Sequence, residues 1–100
     1  MIRLQNDQLE TVREILREHV PNAEVHAYGS RTLGKANDWS DLDLIIITPE
    51  KLPFSTLTEL KLAFEESDLP FRVDIIDQHR TSDDFIKLIQ EEWEQIQAPA

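Results

Sequence analysis

The chain has 100 residues, no cysteine, and 20 acidic against 10 basic residues, which gives a formal net charge of −10. This length suits one compact domain, and the lack of cysteine excludes disulfides and thiolate metal ligands. A strongly negative chain is repelled by the phosphate backbone of nucleic acids, so we do not expect direct nucleic-acid binding. No apolar run is long enough to span a bilayer, and the first residues lack the features of a secretory signal. We therefore expect one domain over residues 1–100, located in the cytoplasm and without membrane contact.

The first half of the chain predicts one helix and two strands. A helix from about Asp7 to His19 is indicated by apolar residues at helical spacing, namely Leu9, Val12, Ile15 and Leu16. Glu24 to Tyr28 alternates like a strand and runs into Gly29, after which residues 30–37 suggest a short helix followed by a loop. Leu42 to Thr48 is continuously apolar, which favours a central strand covered on both faces.

The second half predicts a helix, a strand and a last helix. Ser55 to Ser67 has helical spacing of apolar residues, and Phe71 to Ile76 is typical of a strand. The last helix is expected to start near Ser82 and to fray at Pro99, with an apolar stripe of Phe85, Ile89, Trp93 and Ile96. The order of elements predicts a small α/β fold, in which helices flank a three-stranded mixed sheet.

A glycine-containing turn precedes the central strand. Gly29 lets the backbone approach phosphate oxygens closely, and Ser30 adds a hydroxyl and an amide at the start of the expected short helix, where anions are favoured. Arg31 offers a planar guanidinium for the same phosphates or for a partner protein. Gly34 is expected to permit the turn that returns the loop toward Asp41. The segment therefore predicts a phosphate-binding turn.

Two carboxylates stand where the central strand begins. Asp41 and Asp43 are two residues apart, so in a strand their side chains share one face while Leu42 takes the other. Carboxylate oxygens are the ligands that Mg²⁺ prefers, and Mg²⁺ usually completes its shell with water and substrate phosphates. A polar strand end with a solvated Asp41 is the simpler alternative.

Asp74 is the third acid of interest, because it interrupts an apolar strand where an unpaired carboxylate would be costly. If that strand lies beside the central one, three carboxylates can hold two divalent ions about 3.5–4 Å apart, as in phosphoryl transfer. The alternative is an ordinary ion pair of Asp74 with Arg72 or Arg80. Asp77 is a competing third ligand, although alternation places it on the opposite face of the strand.

Trp39 immediately precedes Ser40, two residues before Asp41. It either stacks on a base or covers the edge of the core, and we favour the second interpretation.

These segments resemble the defining pattern of the DNA polymerase beta-like nucleotidyltransferases. The matching segments are Gly29-Ser30-Arg31, Gly34, Ser40-Asp41-Leu42-Asp43-Leu44 and Val73-Asp74-Ile75. The short chain is similar to the minimal nucleotidyltransferase branch, whose members are often antitoxins paired with HEPN-type RNases. The resemblance implies a small nucleotidyltransferase fold and nucleotide contacts from Gly29 and Ser30, and we add Arg31 and Ser40 to this nucleotide-binding set. It also implies that Asp41, Asp43 and Asp74 are the catalytic, Mg²⁺-binding residues, with two ions expected.

The resemblance further implies a reaction and a partner. The expected reaction transfers a nucleoside monophosphate, typically AMP from ATP, to a hydroxyl of a partner protein, and in the antitoxin branch this hydroxyl belongs to a tyrosine. The expected partner is a helical HEPN-type toxin in a hetero-oligomer, with a homo-oligomer left open. Two rivals remain: a non-catalytic module that neutralises a partner by covering it, and a nucleotide sensor without turnover.

Overall fold

The computed structural model describes residues 2–100. Within this range the chain forms three α-helices and four β-strands. These are α1 (Asn6–His19), β1 (Glu24–Tyr28), β2 (Leu42–Ile47), α2 (Phe54–Glu65), β3 (Val73–Asp77), α3 (Asp83–Gln90) and β4 (Glu94–Gln97), with a 3₁₀ turn at Gln78–Arg80. No helix in this part of the chain combines the length and apolar character that crossing a membrane requires.

The strands form one mixed sheet in the order β3-β2-β1-β4. β2 runs parallel to β3, whereas β1 is antiparallel to both β2 and β4. One face packs against α1 and α2, because alternate residues of β2 enter a shared core with both helices. That core includes Leu42, Leu44 and Ile46 of β2, Val12 and Leu16 of α1, and Leu60 and Phe64 of α2. The predicted α/β architecture, with helices flanking a mixed sheet, is confirmed.

The second face of the sheet is covered by α3 and the turn after it. The ring of Phe85 meets the ring of Tyr28 edge-on, with 5.9 Å between the ring centroids. The ring of Trp93 stacks on that of His26, with 4.2 Å between the centroids. Ile45, which points to this face, is fully buried. β2 is therefore covered on both sides, as its continuous apolar run predicts.

The prediction of a long last helix and of three strands is wrong. α3 ends at Gln90, and residues 94–97 pair with β1 as a fourth strand. Without β4, one edge of β1 would leave backbone N–H and C=O groups unpaired, and pairing satisfies them. Ile96 still enters the main core, so the apolar spacing that suggested a helix is satisfied by a turn and a strand instead.

Two predictions for the loop before β2 are also wrong. Residues 30–34 form successive turns rather than a helix, since the amides of Thr32 and Leu33 both donate to the Gly29 carbonyl. Gly34 then takes φ +73°, which ends any helical continuation. Trp39 does not cover the core edge, because 74% of its surface is exposed.

Candidate active site

Three polar side chains form a row across the second face of the sheet. In register, Asp43 of β2 pairs with Tyr28 of β1 on one side and with Asp74 of β3 on the other. Strands in a sheet lie about 4.8 Å apart, so paired side chains on one face are close neighbours. Because β3 lies beside β2, Asp74 faces the same region as Asp43. Asp41 lies one residue before the start of β2.

Negative charge is concentrated in this row. Burial, followed by the nearby charges of Asp74 and Asp41, raises the pKa of Asp43 to about 6, while Arg72 opposes the shift. Burial, followed by the charges of Asp43 and Asp74, raises the pKa of Tyr28 to about 12. Burial is the larger cause of both shifts, and the carboxylate charges that add to it would favour a nearby cation.

Gly29 forms the turn that closes over Asp43. Its φ of +85° lies in the left-handed region, and a Cβ at this position would stand 2.7 Å from Oδ2 of Asp43. Only glycine allows the backbone to approach the carboxylate this closely. Ser30, the next residue, is partly exposed within the same turn. The predicted phosphate-binding turn and the carboxylates are thus in direct contact.

Arg31 occupies a structural position. Its side chain is buried, and Nε and Nη2 donate to the Ser40 carbonyl at 3.0 and 2.8 Å, while Nη1 donates to the Arg3 carbonyl at 2.6 Å. The guanidinium also stacks 4.1 Å above the ring of Phe71. These contacts occupy the donors, so the geometry gives no support to a phosphate-binding role for Arg31. Instead they fix the backbone immediately before Asp41.

Ser40, the other member of the predicted nucleotide-binding set, shapes the same loop. Its hydroxyl accepts a hydrogen bond from the Asn37 amide at 3.0 Å. Its carbonyl is the acceptor for Arg31. The hydroxyl and the carbonyl of Ser40 thus hold the loop that presents Asp41.

Arg72 is the cation at this site, and the sequence indicated it only as an alternative partner of Asp74. Nε donates to Oδ1 of Asp74 at 3.0 Å, and Nη2 donates to Oδ2 at 3.2 Å. Oδ2 of Asp41 lies 3.9 Å from Nε, so the guanidinium stands between two of the three acids. The hydrogen bond to Asp74 and the surrounding carboxylates raise the pKa of Arg72.

Asp77, the competing third ligand, is committed elsewhere. Its buried carboxylate accepts from the amides of Leu52 and His79 and pairs with Arg80. It aligns with Ile46, a residue of the helix-covered face, and not with the acidic row. Its contacts indicate a structural role.

The donor set suits Mg²⁺ after one rearrangement. In residues 2–100, no three acidic or imidazole side chains converge as they stand to hold a metal. Nevertheless the three aspartates provide hard oxygen ligands, the kind that Mg²⁺ prefers. In this structure Arg72 donates hydrogen bonds to both oxygens of the Asp74 carboxylate. The residues therefore fit a divalent cation once Arg72 releases that carboxylate.

A glycine turn closes on a carboxylate and acids stand on two adjacent parallel strands, in agreement with the nucleotidyltransferase pattern found in the sequence. The family model of the nucleotidyltransferase domain matches residues 9–97, and the chain belongs to this family. The resemblance inferred from the motifs is confirmed, and the chain is an enzyme of the nucleotidyltransferase class.

Similar proteins agree with this assignment. The chain is 47% identical over 94 residues to the probable protein adenylyltransferase MntA of Haemophilus influenzae, covering 94% of this chain and 82% of that relative. A crystal structure of a toxin-antitoxin with AMP-PNP has a TM-score of 0.75 at 21% identity, covering 90% of this chain and 73% of that one. A tri-AMPylated Shewanella oneidensis HEPN toxin in complex with MNT antitoxin has a TM-score of 0.72 at 18% identity, covering 95% and 73%. The two structures show a shared fold.

Proposed function

We propose that residues 1–100 act as one nucleotidyltransferase domain that transfers AMP from ATP, with Mg²⁺, to a hydroxyl of a partner protein. The proposed partner is a HEPN-type toxin, which the chain neutralises as an antitoxin within a cytoplasmic hetero-oligomer. The observation that carries the chemistry is the alignment of Asp43 with Asp74 beside the Gly29 turn. The reaction and the partner are supported by the relative named as a protein adenylyltransferase and by the neighbour that is an AMPylated toxin complex.

The residues have distinct proposed roles. The turn at Gly29 and Ser30 binds the triphosphate, since backbone amides and a hydroxyl can donate to phosphate oxygens there. Asp41, Asp43 and Asp74 would hold Mg²⁺, two ions in our proposal. When bound, Mg²⁺ would neutralise phosphate charge and lower the pKa of the acceptor hydroxyl. The net charge of −10 makes this necessary, because bare ATP would be repelled.

The proposed transfer balances as follows. The acceptor oxygen forms a bond to the α-phosphorus of ATP, and the bond from this phosphorus to the bridging oxygen of pyrophosphate breaks. Pyrophosphate leaves with the electron pair, and a carboxylate of the aspartate set accepts the hydroxyl proton. The acceptor then carries AMP.

Intact-mass measurement tests the proposal. The chain is incubated with ATP, Mg²⁺ and the protein encoded beside it, and the partner is expected to gain the mass of AMP. Asp41→Asn combined with Asp43→Asn should abolish the gain. Glu10→Gln combined with Glu14→Gln is the matched control, because these exposed acids of α1 carry the same charge and lie outside the site. An unmodified partner with every nucleoside triphosphate would contradict the proposal.

The alternative is neutralisation by complex formation alone. It is favoured by one observation, the apolar surface on α3, where Leu88 is 66% exposed and Phe85 39%. The two functions are distinguished by titrating the toxin's RNase activity with the Asp41→Asn, Asp43→Asn variant. Full neutralisation at the wild-type stoichiometry, without nucleotide, would show that covering the partner is sufficient.

A further inference from the structure

Arg72 presents a conflict between the structure and the proposed chemistry. Its guanidinium holds both oxygens of Asp74 and approaches Asp41, two of the carboxylates assigned to the metal. Because the guanidinium engages both oxygens of Asp74, it competes with a divalent cation for their lone pairs and their negative charge. Arg72 in this position therefore opposes metal binding at Asp74.

The surroundings of Arg72 favour departure. The side chain is 72% exposed, so solvent screens its ion pair with Asp74 and can hydrate the guanidinium when it leaves. A cavity of about 600 Å³ between α2 and β3 is lined by both residues and gives the side chain room to move. Arg72 can therefore change position at little cost.

The phosphate-binding turn lies at the same end of the sheet. Gly29 follows β1, Asp41 precedes β2 and Arg72 precedes β3, and these three ends are brought level by the pairing of Tyr28, Asp43 and Asp74. The Leu42 amide donates to the Arg72 carbonyl at 2.9 Å, which fixes the backbone of Arg72 beside the strand that carries Asp43. A guanidinium released here has phosphate oxygens as its nearest new anions, and its planar donors suit them.

We propose that Arg72 is a positioning residue with two successive partners. In the metal-free protein it holds Asp74 and screens the mutual repulsion of the acids. When metal and nucleotide bind, it transfers to the β- and γ-phosphate oxygens, where it offsets the charge of the departing pyrophosphate. This inference rests on the proposed nucleotidyl transfer, but it makes binding predictions that need no transfer.

The two roles predict effects of opposite sign in one variant. Removing the guanidinium frees Asp74, so divalent metal alone should bind more tightly. The same change removes a phosphate contact, so the nucleotide complex should bind more weakly. A residue that only supports the local structure would weaken both.

The test compares Arg72→Gln and Arg72→Lys with Arg17→Gln, an exposed position on α1 that makes the same charge change. Calorimetry with Mn²⁺ alone, and then with AMP-PNP in saturating Mn²⁺, gives both affinities. For Arg72→Gln we expect about threefold tighter Mn²⁺ and about tenfold weaker AMP-PNP, the latter being one charge-assisted contact. Arg72→Lys should keep part of the AMP-PNP affinity, and Arg17→Gln should match the wild type in both.

Each outcome decides the inference. The inference would be overturned if Arg72→Gln bound Mn²⁺ no more tightly than Arg17→Gln, or if its AMP-PNP affinity were unchanged. Thermal unfolding of each variant verifies that the proteins compared are folded. Failure of the proposed function is a separate result: if the wild type modifies no partner yet the two affinities move in opposite directions, Arg72 has both positions in a protein that only binds nucleotide.

Discussion

A Cβ placed on Gly29 would lie 2.7 Å from Oδ2 of Asp43, which is closer than side-chain carbons approach other atoms. The Gly29 turn and Asp43 therefore form one packed unit. Gly29 has a positive φ, and the carboxylate of Asp43 occupies the space that a side chain at position 29 would need.

Gly29→Ala should impair both folding and activity. We expect a loss of about 2–3 kcal/mol in the free energy of unfolding, from the left-handed backbone and from displacement of Asp43. Gly34→Ala is the control, since Gly34 also has a positive φ but has no atom within 4 Å of an added Cβ. Urea denaturation measures the free energy of unfolding of both variants, and the difference between them gives the cost of the contact with Asp43. Equal losses in the two variants would show that Asp43 moves aside freely.

The raised pKa of Asp43 predicts a pH-dependent stability. The folded state binds the proton more strongly than the unfolded chain, so this group's contribution is present below about pH 4 and is lost as the pH rises through about 6. Asp43→Asn cannot ionise, and should be more stable than the wild type at pH 7.5 by about 1–2 kcal/mol, a value reduced for partial exposure. The advantage should vanish near pH 4.

Urea titrations in EDTA measure this difference. Glu66→Gln, an exposed acid at the end of α2, serves as the control for loss of one charge. If Asp43→Asn exceeded the wild type in free energy of unfolding by the same amount at both pH values, the raised pKa of Asp43 would be contradicted.

Arg31→Lys should destabilise the protein although it keeps the charge. A lysine cannot reach the carbonyls of both Ser40 and Arg3, which Arg31 does with a planar, buried guanidinium. We expect a loss of about 2 kcal/mol, as for removal of hydrogen bonds from a charged group. AMP-PNP affinity measured under conditions where the variant is folded should change little; a large loss of affinity without a loss of stability would restore the phosphate role.

Asp77→Ala should reduce stability without affecting metal binding. The substitution leaves Arg80 without its partner and removes the acceptor for two backbone amides. We expect a loss of about 2–4 kcal/mol, measured by thermal or urea unfolding. Asp68→Ala, at an exposed position, should cost little. Weaker Mn²⁺ binding in folded Asp77→Ala would instead support a ligand role.

The two tryptophans should differ in their contribution to stability. Trp39 is 74% exposed, so Trp39→Ala should change the free energy of unfolding by less than about 0.5 kcal/mol. Trp93 stacks on the buried His26, so Trp93→Ala should cost about 2–3 kcal/mol. Chemical denaturation of the two variants tests this, and a comparable cost would mean that Trp39 is packed in solution.

The sequence predicted the elements whose pattern is local. The continuous apolar run of β2 indicated a strand covered on both faces, and Ile45 is buried on the second face as expected. The third acid was placed from its position inside an apolar strand, and the pairing of β2 with β3 does bring Asp74 beside Asp43. Periodicity was sufficient for the strand, whereas the cost of an unpaired carboxylate is met in this structure by Arg72, the ion-pair alternative that the sequence left open.

The predictions from the sequence were wrong where contacts between residues far apart in the chain determine the structure. Nothing between Gln90 and Gln97 interrupts a helix, and Glu and Gln favour helices, yet the free edge of β1 makes residues 94–97 a strand. Likewise, the sequence predicted a phosphate contact for Arg31 and indicated Arg72 only as an ion-pair partner of Asp74. Only tertiary contacts show that Arg31 is surrounded by carbonyls, whereas Arg72 stands in solvent beside the acids.

The hydrogen bond from Arg31 to the Arg3 carbonyl, returned by the Arg3 amide to the Arg31 carbonyl at 2.9 Å, links the amino-terminal segment to the loop that carries Asp41. Deleting residues 2–4 would therefore remove this link and loosen the loop that carries Asp41. Expression vectors that trim or remodel this end would risk reporting an inactive enzyme whose acids are all intact.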